Sequence, residues 1–143
     1  MSVSERGFAL ITAHEGCRLA AYQDSAGVWT IGYGHTGDVQ PGEEITKDRA
    51  EQLLRRDLAW AEAAVTELVD RELTQPQFDA LVSFVFNIGR PAFADSEVRA
   101  AASQGNDTGV AMELPRWRRA GGDPLLGLSR RRIAEASRYL EGC

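Results

Sequence analysis

Cysteine, histidine and lysine are scarce in this chain of 143 residues. The two cysteines, Cys17 and Cys143, stand far apart with no motif around either. Two are no disulfide framework, so free thiols are the expected state. His14 and His35 are the only histidines, which leaves too few ligands for a metal site, and no cofactor is expected. Lys47 is the only lysine among 16 basic residues, and nothing in the sequence gives that bias a mechanism. No apolar run approaches the ~20 residues needed to cross a bilayer. The opening MSVSERGFALITAHEG lacks a basic leader with a small-residue cleavage site. It reads as an amphipathic helix and not as a signal peptide, and no stable membrane anchor is expected.

What is present is ordinary for a globular protein: 43% hydrophobic and 26% charged residues, with length enough for one domain, perhaps of two lobes, and a substantial core. The net charge of −5 is unevenly spread. Residues 1–75 carry 7 basic and 13 acidic residues, whereas residues 76–143 carry 9 and 8. Six arginines fall between Arg116 and Arg132, opposed only by Asp123. Such a cluster can mark nucleic-acid binding. The acidic balance of the whole chain and the lack of any nucleic-acid-binding motif argue against it.

The chemistry concentrates in Glu15 to Thr36, EGCRLAAYQDSAGVWTIGYGHT. Phe8, Ile11 and Glu15 share one face of a helix, with Ser2 and Glu5 at capping-box spacing and Gly16 suited to its end. A carboxyl at the end of an apolar stripe, and at the negative end of a helix dipole, is expected to keep its proton near neutral pH. That is the requirement for a general acid. Leu19 to Gln23 reads as a strand, Asp24-Ser25-Ala26-Gly27 as a turn, and Val28 to Tyr33 as the returning strand. Asp24, at a polar turn, is expected to be ionised. Singly, a Glu at a helix end is commonly a solvated surface residue and an Asp beside a glycine turn a turn former. Two carboxyls with opposed environments are, however, the minimum for hydrolysing a glycosidic bond.

Beyond the stretch, Gly37 to Glu44 is a loop. Thr46 caps a long helix to about Val69, supported by Asp48 in its first turn and by Ala50, Leu53, Leu54, Ala61, Val65 and Leu68. Trp60 on that helix fits either core or interface. Thr74 caps the next helix, with Pro76 in its first turn and Phe78, Leu81, Val82, Val85 and Phe86 on a wide apolar face. Residues 90–96 read as a connection with Ser96 as the following cap, Gly105 to Gly109 as a turn and Gly121 to Pro124 as a loop. Trp117 reads as structural, and Ser129 as the start of a last helix.

The spacing of Glu15, Asp24 nine positions on and Thr30 six beyond, within a strand ending WTIGYGHT, resembles the phage-type lysozymes, the muramidases of glycoside hydrolase family 24. The ITKD opening of the long helix and RWRRAGGDPLLGL resemble the same family, so the likeness extends over most of the chain. It implies an α+β fold: a small β-hairpin lobe over about 15–46, a linking helix over about 47–69, and a helical lobe over about 73–143 that includes the N-terminal helix. It implies an inverting endolysin that hydrolyses the β-1,4 bond between N-acetylmuramic acid and N-acetylglucosamine in peptidoglycan. Glu15, Asp24 and Thr30 are then catalytic, while Gly34, Thr36, Phe86, Asn87 and Ser96 meet the saccharide. One of Arg130, Arg131 and Arg132 is expected to pair with Glu15. Glu97 and Arg99 depart from the small and apolar residues that follow this serine in the family, and the acidic charge departs from its usually basic members. A monomer is expected, held in the host cytoplasm until a holin-type lesion admits it to the periplasm and wall. The alternatives are a catalytically silent wall-binding or phage-particle component of the same fold, and a transglycosylase acting on the same bond.

Overall fold

The computed structural model describes residues 1–120 and 123–143. They divide into two compact units, Thr12–Ala59 and Met1–Ile11 with Trp60–Cys143. In the smaller unit, β1 (Arg18–Gln23), β2 (Trp29–Gly32) and β3 (His35–Thr36) form an antiparallel sheet in that order. Tyr22 is paired with Thr30, Gln23 with Trp29, and Thr30 with Thr36. The outer edge of β1 is covered by the segment after the 37–42 loop: Ala21 N–H donates to Glu43 O at 2.9 Å and Ile45 N–H to Leu19 O at 2.9 Å.

Thr46 opens α2 (Lys47–Asp57), its hydroxyl accepting from Arg49 N–H at 3.1 Å. Ala50, Leu53 and Leu54 follow helical spacing and are buried with Ile31 and Tyr33 of the sheet. Gly32 lets the two layers meet: its φ is +66°, and a Cβ there would lie 3.3 Å from that of Ala50. His35 Nδ1 lies 2.8 Å from Asp57 Oδ2, tying β3 to the end of α2. The single long helix expected from Thr46 is interrupted. Leu58, with ψ of −15°, separates α2 from α3 (Ala59–Leu68). No glycine or proline causes the break; Leu58 itself is buried there.

The larger unit takes the first turns of α1 (Glu5–His14), then α3, α4 (Gln75–Ile88), α5 (Arg90–Ala94), α6 (Glu97–Ser103) and α7 (Asp107–Glu113). A short 3₁₀ turn at Leu114–Arg116, the paired β4 (Arg119–Ala120) and β5 (Asp123–Pro124), and α8 (Leu126–Leu140) complete it. Every residue of α4 from Gln77 to Val85 is buried, so this helix is enclosed on all sides. Its polar members face α8. Arg138 Nη2 donates to Asp79 Oδ2 (2.8 Å), Ser83 Oγ to Glu135 Oε2 (2.5 Å), Arg131 Nη2 to Ser83 O (3.0 Å), and Arg132 Nη2 to Asn87 Oδ1 (2.8 Å). Positions 79, 83 and 87 recur every four residues, and their partners run antiparallel along α8.

Asp79, with no exposure, also seats the N-terminus. Ser4 N–H donates to its Oδ1 at 3.0 Å, Ser4 Oγ donates to Oδ2, and Gln75 Nε2 donates to Oδ1 at 2.8 Å. Burial pushes its carboxyl up, but the bonds from Ser4, Arg138 and Gln75 outweigh that and hold it below the ordinary aspartate range.

Several boundaries differ from the sequence reading, each for a local or tertiary reason. The cap of α1 is Ser4 and not Ser2: Ser4 Oγ accepts from Gly7 N–H at 3.1 Å, and Asp79 fixes that hydroxyl. Gly16 has no left-handed φ, so it is not a helix cap of that kind. Residues 90–94 are helical, because Gly89 at φ +91° redirects the chain and Pro91 suits a first turn. Gly109 lies inside α7, whose cap is Asn106 accepting from Gly109 N–H at 3.0 Å. α8 begins at Leu126, ahead of Ser129. Part of the loop expected at 121–124 is the strand β5, while Gly121 and Gly122 lie outside the described residues.

Two outcomes are expected from the Asp79 seat. A Cβ on Gly7 would lie 2.4 Å from Asp79 Cγ. Gly7→Ala gains up to about 1 kcal/mol of helix propensity, but the overlap strains a carboxylate that cannot retreat. A net loss of about 1–3 kcal/mol should appear in thermal melts. Because the folded carboxyl titrates low, its stabilisation is complete above the unfolded value, about pH 4. It is lost as pH falls through the lower folded value. Asp79→Asn should therefore be less stable near neutrality and lose less further stability on acidification, as read from melts across the acid range.

Candidate active site

The turn between β1 and β2 is built around Asp24. Its N–H donates to Val28 O at 2.9 Å, its carbonyl accepts from Gly27 N–H at 2.9 Å, and Oδ1 accepts from Ala26 N–H (2.8 Å) and Val28 N–H (2.9 Å). Oδ1 is thus fixed by two backbone donors, while Oδ2 has no hydrogen-bond donor among the described residues. Gly27 completes the turn at φ +80°. Asp24 is exposed, as its turn position predicts.

Thr30 is buried on β2, and its hydroxyl donates to Val28 O at 2.9 Å. With the proton used there, the oxygen's lone pairs remain as acceptors. The register places Tyr22, Thr30 and Thr36 on one face of the sheet, with Asp24 in step beyond the end of β1. Arg18 stacks its guanidinium 4.4 Å from the Tyr22 ring centre. Thr36 is exposed and follows Gly34, which turns the chain at φ +82°.

Glu15 lies immediately beyond the end of α1 and is half-buried, as expected of a carboxyl at the end of that apolar stripe. The residues after it are anchored by Tyr33, whose buried phenol meets the Cys17 thiol. Burial, then Cys17 and Glu51, push that phenol up. Glu15, Asp24, Thr30, Gly34 and Thr36 all belong to the unit Thr12–Ala59. Cys17 and Cys143 are free and exposed.

Phe86, Asn87 and Ser96 belong to the larger unit. Phe86 is half-buried at the end of α4, its ring 5.9 Å from that of Trp60, and Asn87 beside it is exposed. Ser96 is different. Its hydroxyl is buried, donates to Phe93 O (2.7 Å) and accepts from Arg99 N–H (3.0 Å) as the cap of α6. Both of these bonds are to backbone groups of the fold. Trp117 is structural, edge-on to Phe84 at 5.6 Å.

Of the three neighbouring arginines, Arg130 is exposed, while Arg131 and Arg132 are buried against Glu135 at 3.2 and 2.8 Å. Burial pushes the Glu135 carboxyl up, opposed by Arg132, Arg131 and the Ser83 hydroxyl. Glu135 was not singled out from sequence; the signal available was its place three and four residues after two arginines on one helix. Among the described residues no group of three or more His, Cys, Asp or Glu could hold a metal ion. No described helix is long and apolar enough to cross a membrane.

The chain as a whole is similar to known proteins. The sequence model of the phage lysozyme family matches residues 12–135. An endolysin of Acyrthosiphon pisum secondary endosymbiont phage 1 is 42% identical over 143 residues, covering 97% of this chain and 98% of its own length. A mutant of P22 lysozyme has a solved structure that superposes with a TM-score of 0.92 at 41% identity, over 98% of this chain and 99% of that one. The muramidase domain of SpmX from Asticaccaulis excentricus gives a TM-score of 0.91 at 43% identity, over 97% of each chain.

The two glycines flanking β1 separate backbone strain from crowding. An added Cβ meets nothing within 4 Å at either Gly16 or Gly27, but only Gly27 has a left-handed φ. Gly27→Ala should cost about 1–2 kcal/mol in thermal melts, and faster amide exchange at Ala26 and Val28 should report a loosened turn. Gly16→Ala should leave both unchanged.

Proposed function

The chain belongs to the phage lysozyme family, and from that premise we propose that it is an endolysin, hydrolysing the β-1,4 bond between N-acetylmuramic acid and N-acetylglucosamine in peptidoglycan and so lysing the host. The observation that carries the reading is the turn geometry at Asp24. One carboxylate oxygen is locked by two backbone N–H groups, and the other has no donor among the described residues. That is the arrangement of a base held still, with one oxygen open to water.

In this reading Glu15 is the general acid. It donates its proton to the glycosidic oxygen as the bond to the anomeric carbon breaks, and the aglycone leaves as an alcohol. Asp24 takes the proton of the attacking water. Thr30, whose own proton is engaged by Val28 O, accepts a hydrogen bond from that water and orients it. Water arriving opposite the leaving group inverts the anomeric centre. Gly34, Thr36, Phe86 and Asn87 contact the glycan. The enzyme acts as a monomer, waits in the host cytoplasm, and reaches the wall through a holin-type lesion. A catalytically silent wall-binding or particle component would gain nothing from so constrained a carboxylate.

The test is clearing of purified peptidoglycan by folded variants. Glu15→Gln should lose about 10²–10⁴-fold in rate, because an amide cannot donate the proton. Asp24→Asn should fall comparably. Thr30→Ala should cost about 1 kcal/mol of stability and a disproportionately larger share of the rate. Wild-type-like clearing by Glu15→Gln overturns the acid assignment. Reducing-end products of inverted configuration in early-time NMR support hydrolysis with inversion, while anhydro ends would make the enzyme a transglycosylase.

A further inference from the structure

Trp60 stands on the outward side of α3. The helix buries Ala61, Ala64 and Val65, whereas Trp60 is 45% exposed, and the other outward positions are small or polar, as at Ala63, Thr66 and Glu67. A tryptophan left half in water exposes a large apolar face that core packing does not use. It is nevertheless held in place. Its ring lies 5.9 Å from that of Phe86 at an interplanar angle of 31°. Two turns further along, Glu67 at the end of α3 pairs at the surface with Arg90, the first residue of α5, at 2.9 Å.

The amide of Asn87, the residue after Phe86, has only one possible orientation. Arg132 donates Nη2–H to Asn87 at 2.8 Å. A guanidinium has donors and no acceptor, so the amide oxygen must face Arg132 and the NH₂ group must face away. Arg132 is itself fully buried, 2.8 Å from Glu135 and stacked 4.9 Å over the Phe84 ring. Asn87, next in the chain to Phe86, therefore presents two oriented N–H donors at the same exposed end of α4 as the partly exposed Phe86 ring. Flat apolar faces with a few fixed polar groups are the usual composition of a small-ligand site. An N-acetylhexosamine offers the complement: an apolar face of axial C–H groups, with hydroxyl and acetamido oxygens around its rim.

We propose that Trp60 is a saccharide-binding residue, which with Phe86 receives the apolar face of an N-acetylhexosamine ring of the glycan while the Asn87 NH₂ donates to that ring's polar rim. This rests on the reading of the chain as a glycan hydrolase and adds to it a position that sets how tightly the strand is held. The role is binding and not chemistry, so it should be expressed in KM.

The experiment compares Trp60→Phe, Trp60→Leu and Trp60→Ala in two assays. On soluble peptidoglycan fragments, Trp60→Leu and Trp60→Ala should raise KM roughly three- to tenfold. Their kcat should stay within about twofold, the signature of lost uniform binding, and Trp60→Phe should stay near wild type. Leucine fills space against Phe86 but has no ring face, so a merely structural role would be satisfied by Leu. In the second assay a short β-1,4 oligomer of N-acetylglucosamine is titrated into Glu15→Gln protein. The tryptophan emission change it causes should be largely abolished when Trp60→Phe is added. Unchanged KM in Trp60→Leu, together with an emission change that survives Trp60→Phe, overturns the proposal. A wild-type protein that hydrolyses nothing, yet shows the Trp60-dependent emission change, overturns the enzymatic reading and leaves the saccharide site standing.

Discussion

The larger unit depends on a polar seam between α4 and α8; the buried residues of α8 are Arg131, Arg132, Glu135, Arg138 and Tyr139. Asp79, Ser83 and Asn87 on α4 face Arg138, Glu135 with Arg131, and Arg132 on α8, rung by rung in antiparallel order. Removing water from these charges is costly, and breaking one partner of such a pair costs about 3–5 kcal/mol. The pairing is not saturated. Arg132 Nε and Nη1, Glu135 Oε1 and Arg138 Nε are buried without hydrogen-bond geometry to any partner among the described residues, although Arg132 Nε lies 2.8 Å from Glu135 Oε1. The seam is therefore a poor source of net stability and a strong determinant of register. Sliding α8 by one turn, about 5.4 Å, would leave every rung facing the wrong partner.

Both ends of the seam reach features that matter for the proposed activity. At one end Asp79 collects Ser4, so the first turn of α1, the helix after which Glu15 follows, is seated on the same carboxylate that pairs with Arg138. At the other end Arg132 turns the amide of Asn87 outward. The smaller unit relies on different means: a sheet whose register is set by the Asp24 turn, a glycine allowing close approach to Ala50, and the His35–Asp57 pair. Asp24 and Thr30 are thus held by short-range backbone geometry, whereas α1, which leads to Glu15, and the amide of Asn87 rely on long-range side-chain pairing.

That division explains what was legible in the sequence. The hairpin was readable because its determinants are adjacent: Asp24 and Gly27 make the turn, and the residues of β2 follow at once. Glu15 at the end of an apolar helical stripe was readable from three positions of one helix. The cap of α1 was misplaced because Ser2 and Ser4 are both plausible locally, and what selects Ser4 is Asp79, 75 residues away. Ser96 was readable as the cap of α6 from its residue type, whereas the bond of its hydroxyl to Phe93 O was not, because it depends on how α5 folds. The arginine run read as a positive patch, whereas two of its members are buried and share one glutamate, which also accepts from Ser83 of α4. Trp60 could not be assigned to core or surface, because its position relative to the buried face of α3 depends on where the long helix is interrupted, at Leu58.

The seat of Ser4 on Asp79 makes the larger unit discontinuous in sequence, with Thr12–Ala59 inserted between its two parts. Closing that contact spans 75 residues, and Arg138, which completes the site, lies 134 residues from Ser4. Loop closure over such lengths is entropically uphill and is repaid only when the partners are already assembled. During synthesis α1 emerges well before α4 and α8, yet its docking site is incomplete until α8 has been made. Completion of α8 is consequently the step that commits α1 to its place.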